Sequence, residues 1–134
     1  SLLIAVIFSF SLGQVAFAAD ANTQVSASPQ WTNTDVVSTS LAFSGSEGSC
    51  GAYVLGKTGT TEITGTVVLE RKNSNGTYIT VKTWSGLAAK ADTLIFNSTY
   101  YVATGYTYRL TITATVYRNE TSETVSGYYE AYAS

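Results

Sequence analysis

The side chains able to do acid–base, nucleophilic or metal chemistry are few. The 134-residue chain has one cysteine, Cys50, nine carboxylates, seven Lys and Arg, and no histidine. Without imidazole there is no Ser-His-Asp triad, no Cys-His dyad and no histidine metal site. One cysteine cannot complete a zinc ligand set or close an internal disulfide. What remains is a carboxylate pair of the kind that cleaves glycosidic bonds. The candidates are Asp35, Glu47, Glu62, Glu70, Asp92, Glu120, Glu123 and Glu130, with Asp20 near the start. Most fall in turns or on outward strand positions, where solvation is their ordinary fate. A calcium site wants clustered oxygens, but Asn73, Asn75, Asp92, Asn97 and Asn119 are dispersed. Gly56-Lys57-Thr58-Gly59 lacks the upstream glycine and the following helix of a phosphate loop, and reads as a turn. The expectation is a non-enzymatic chain with no cofactor and no metal.

The aromatic residues are the better lead. Nine of the ten tyrosines lie from Tyr78 onward, with Trp84 among them. Tyr and Trp join an apolar face to a polar tip, which suits contact surfaces for proteins or sugars. Strict alternation over residues 77–84 predicts Tyr78 and Trp84 on one side, and Tyr117 falls on the polar side of its own strand. These three are the candidate binding residues. The competing reading is cross-strand pairing and rim packing. Net charge is −2 and the basic residues are scattered, so no phosphate-binding face for nucleic acid is expected.

The elements that must position these residues are strands. Threonine occurs 21 times, a β-favouring composition. From Tyr108 the chain alternates, with Leu110, Ile112, Ala114 and Val116 on one face and Arg109, Thr111, Thr113, Thr115 and Tyr117 on the other. Similar patterns cover Val36–Ser44, Ser49–Leu55, Thr61–Arg71, Thr77–Trp84, Thr93–Asn97 and Ser122–Tyr132. In the second of these, Cys50, Ala52 and Val54 share a face, which predicts a buried, unpaired thiol, the other reading being an intermolecular link. Gly45-Ser46-Glu47-Gly48 and Asn73-Ser74-Asn75-Gly76 supply turns. Ser85–Asp92 reads as a loop. Residues 1–18 are almost wholly apolar and end in Ala16-Phe17-Ala18, the pattern of a secretory signal peptide lacking its basic start. The rival is an uncleaved membrane anchor. Residues 19–34, which contain Pro29, read as a flexible or edge-strand start, and residues 35–134 as one antiparallel β-sandwich of seven to eight strands.

Val102, Gly105 and Tyr108 have the spacing of the turn before the sixth strand in fibronectin type III-like domains. Tyr108 resembles their corner tyrosine, whose hydroxyl bonds back to the upstream chain. In immunoglobulin domains a cysteine follows that tyrosine by two, and here the position is Leu110. The pattern therefore resembles an Ig/fibronectin III-like sandwich without the inter-sheet disulfide. Four further segments carry a second resemblance: Trp31-Thr-Asn-Thr, Gly59 to Lys72, Tyr78 to Trp84, and Thr99 to Arg109. Across Trp31–Tyr132 the chain is similar to a family of small secreted proteins of Gram-positive anaerobic bacteria with no established activity. That resemblance implies export and a β-fold, and supplies no catalytic residue. The functional expectation is a binding or adhesive domain, freely secreted or non-covalently attached to the cell surface, that contacts an extracellular protein or glycan. The alternative is a structural or self-associating surface subunit joined by edge strands.

Overall fold

The computed structural model describes residues 23–25 and 31–134, and the expected signal segment lies outside them. No helix of the described residues is long and apolar enough to cross a membrane. The described chain is all β: β1 (Thr23–Val25), β2 (Thr34–Ser44), β3 (Glu47–Gly56), β4 (Thr60–Lys72), β5 (Tyr78–Ala89), β6 (Thr93–Tyr101), β7 (Tyr106–Arg118) and β8 (Thr121–Ala133). Two antiparallel sheets form, in the orders β1-β2-β3-β6 and β5-β4-β7-β8. They pack face to face as a β-sandwich. The alternating residues explain the packing: Val37 and Leu41 of β2, Val54 of β3, Ile63, Val67 and Leu69 of β4, and Leu110, Ile112 and Val116 of β7 are all fully buried. Two aromatic pairs join the sheets, one between the interior strands β2 and β7 and one at the β5–β6 edge. Phe43 lies 5.4 Å from Tyr108, and Trp84 lies 5.1 Å from Phe96.

Three hairpins follow local chemistry. Gly45 (φ 59°) turns β2 into β3, and Gly76 (φ 87°) turns β4 into β5. The β7–β8 turn puts two non-glycine residues, Asn119 (φ 51°) and Glu120 (φ 63°), in the left-handed region, the backbone a type I′ turn needs.

Two expectations need correction. The segment read as the loop Ser85–Asp92 is mostly strand, because β5 runs on to Ala89. It carries a register shift where Ser85 and Gly86 sit between the Val67–Trp84 and Gly65–Leu87 pairs, and Gly86 has φ 73°. A second shift leaves Val81 as the extra residue between the Glu70–Thr80 and Leu69–Lys82 pairs. Each extra residue reverses which face the following side chains occupy. Tyr78 and Trp84 therefore do not share a side, contrary to strict alternation.

The entry to β2 is fastened by residues before 35. Glu123 of β8 accepts hydrogen bonds from Thr32 N (2.6 Å), Asn33 N (2.8 Å) and Thr34 Oγ1 (3.0 Å). Asn33, 2 % exposed, donates through Nδ2 to Val116 O and Thr121 Oγ1. One carboxylate thus ties the entry to β2 onto the opposite sheet.

Candidate binding surface

The outer face of the β5-β4-β7-β8 sheet gathers side chains from all four strands. Register places Glu70 of β4 opposite Arg109 of β7, and Arg109 opposite Glu130 of β8. Tyr78 of β5 lies opposite Lys72 and Tyr128 of β8 opposite Thr111. Arg109 is the centre. Its Cζ stands 3.8 Å from the centroid of the Tyr78 ring and 5.7 Å from that of Tyr128. Its Nη2 reaches Glu70 Oε1 at 3.3 Å. The Tyr78 hydroxyl donates to Glu130, and that bond, which favours the protonated phenol, holds Tyr78 above the usual tyrosine range. Lys72 Nζ lies 6.0 Å from the same ring.

Glu70 and Glu130 stand two strands apart, about 10 Å between backbones, with the guanidinium between them. Both lie on the outer face of the sheet. Among the described residues no group of three or more Cys, Asp or Glu side chains could hold a metal.

Beside the cluster runs a field of hydroxyls. Thr64 and Thr66 of β4 and Thr113 and Thr115 of β7 line a shallow depression of about 590 Å3 floored near Gly65 and Gly86. Thr115 and Thr124 approach through their hydroxyls at 3.3 Å. Tyr117 ends this strip, opposite Glu62. It lies eight residues along β7 from Arg109, about 26 Å at strand rise.

The three candidate binding residues therefore do not form one site. Tyr78 belongs to the arginine cluster. Tyr117, 39 % exposed, stands alone at the far end of the same face. Trp84 points into the sandwich, where its ring meets Phe96 and, at 6.0 Å, Tyr100, with Lys82 Nζ 5.8 Å from its centroid. It seals the β5–β6 edge of the core, and the extra residue at Val81 is the reason.

The scaffold residues are placed as follows. The Tyr108 hydroxyl donates to Ala103 O at 2.6 Å, with Tyr108 only 1 % exposed, and burial raises its pKa above the ordinary value. Gly105 sits at φ 92° within that corner and donates to Ala133 O, a backbone conformation that favours glycine. Val102 N donates to Ser46 O, and Leu110 is fully buried. Cys50 is buried and unpaired, and desolvation pushes its thiol up to about 11.

Arg109, Glu70, Glu130 and Tyr128 escaped sequence reasoning as a group. Alternation placed Arg109 and Glu70 on outward faces, but only the strand register brings them opposite one another. Glu123 had no sequence signal, since its partners lie about ninety residues away. Comparison with protein-family models, with curated proteins and with solved structures finds no match to this chain.

Proposed function

We propose that this chain is an exported, non-enzymatic binding domain that contacts an extracellular partner through the Tyr78–Arg109–Tyr128 face. The observation that carries this reading is the stack itself: an arginine between two tyrosine rings and paired with Glu70, while Glu130 takes the Tyr78 hydroxyl. Arg and Tyr are the residues that dominate binding energy at protein interfaces, and here their rotamers are already held, which lowers the entropy cost of binding. Arg109 covers one face of Tyr78, leaving less ring free for a stacked sugar. A partner protein is accordingly preferred over a glycan. Export rests on the apolar start and its Ala16-Phe17-Ala18 ending.

We further read the sandwich as fibronectin III-like. Counting from β2, the seven strands pair as one-two-five and four-three-six-seven, and the Tyr108–Ala103 bond stands at the entry to the sixth. The absence of histidine and the buried state of the one thiol support the non-enzymatic part of the reading. Capture from native extracellular material on residues 19–134 tests it. A partner retained by the wild type and weakened about tenfold or more by Tyr128→Ala is the expected result. Equal retention by the two proteins would argue against this face, and no partner of either class would argue against the function.

A further inference from the structure

We propose that β6 is a self-pairing edge, through which two copies of this chain join antiparallel about a two-fold axis at Asn97. A free sheet edge presents unpaired backbone donors and acceptors, and soluble proteins ordinarily defend it with shortness, bulges, charge or cover. Three of the four edges among the described residues carry such a defence. β1 is three residues long. β5 has two register shifts and bears Lys82. β8 carries Glu123 and Glu130, and the Trp31–Thr34 segment is hydrogen-bonded across its start.

β6 has none of these within its own strand, although Lys82 of β5 stands 5.9 Å from the ring of its inward-facing Tyr100. Its nine residues contain no charge and no proline, and all nine pair with β3 without a shift. It also carries the two most exposed large apolar side chains of the described residues, Tyr101 at 67 % and Ile95 at 64 %. Both lie on the outer face of their sheet, alternating with the buried Leu94 and Phe96.

The strand is complementary to itself. The antiparallel register that pairs all nine residues with a second β6 puts Asn97 on the axis, because it is the midpoint of Thr93–Tyr101. On the outer face Ile95 then meets Thr99 of the second copy, and Thr93 meets Tyr101. The two Asn97 amides face one another, and no like charges oppose. The two four-stranded sheets become one of eight, closed by the isologous symmetry commonest among dimers. The occupant is a second copy because nothing in this strand discriminates against itself. The surface lies on the opposite sheet from the Tyr78–Arg109–Tyr128 face, so the two proposals stand or fall separately.

Sedimentation velocity of the full mature chain from about 10 µM to about 1 mM, the span in which so small an interface would associate, tests the pairing. The wild type is expected to move from monomer to dimer. Asn97→Lys and Asn97→Asp, at an exposed position, are each expected to stay folded by circular dichroism and to associate at least tenfold more weakly, since each sets two like charges opposite one another. An equimolar mixture of the two is expected to recover dimer as a heterodimer. Tyr128→Ala is expected to dimerise like the wild type. A wild type that stays monomeric, a dimer untouched by either Asn97 substitution, or variants whose mixture does not recover pairing would overturn the proposal.

Discussion

Tyr108 does its work through one oxygen. The ring is core, and the hydroxyl fastens the Val102–Gly105 turn to the strand that follows it. Tyr108→Phe keeps the packing and deletes the bond, so a loss of about 1–2 kcal/mol is expected, read as a lower urea midpoint with an unchanged slope. Glu123 has a similar role with more at stake, since three donors converge on its carboxylate. Glu123→Ala should cost about 2–3 kcal/mol and expose the Thr32 and Asn33 backbone amides to fast hydrogen exchange. Unchanged protection at Asn33 would refute that account. Tyr108 was legible because its spacing to Gly105 and Val102 is local. Glu123 was not, because its partners come from the other end of the chain.

At the scale of elements, period-two alternation read β2, β3, β4, β7 and the inward face of β6 correctly, because one face of each lies on the core and the other meets solvent. It failed on β5. An edge strand tolerates extra residues, and each one inverts the parity that follows. The insertion at Val81 turned Trp84 inward, and the one at Ser85–Gly86 hid the continuation to Ala89. Gly86 makes the second insertion possible through its positive φ. Gly86→Ala is expected to cost about 1 kcal/mol from backbone strain alone, since open space surrounds its missing Cβ. A thermal melt that matched the wild type would show that the strand relaxes around it. The same limit applied to the binding cluster: alternation says which way Glu70 and Arg109 face, but not that they are neighbours.

For the whole molecule, the alkaline side is where titration and fold are linked. Burial raises Cys50 to about 11 and lifts Tyr108, while the Glu130 contact lifts Tyr78. Each raised acid holds its proton more tightly when folded. Its contribution is complete below its unfolded value and is lost as pH rises through the folded one. For Cys50 that window runs from 9.0 to about 11 and is worth no more than about 2 kcal/mol. The urea midpoint should hold steady to about pH 9 and fall above it, and Cys50→Ala should flatten the fall between pH 9 and 11. A midpoint that fell equally in the two proteins would remove Cys50 from the account.

The β5-β4-β7-β8 sheet thus offers an outer face rich in threonine, with a charged and aromatic cluster around Arg109. The most direct test of the proposed function is quantitative retention of extracellular partner by the wild type, by Tyr128→Ala, and by Tyr117→Ala at the far end of the same face. A loss of about tenfold or more is expected for Tyr128→Ala, and near wild-type retention for Tyr117→Ala. Full retention by Tyr128→Ala, or a loss confined to Tyr117→Ala, would contradict it.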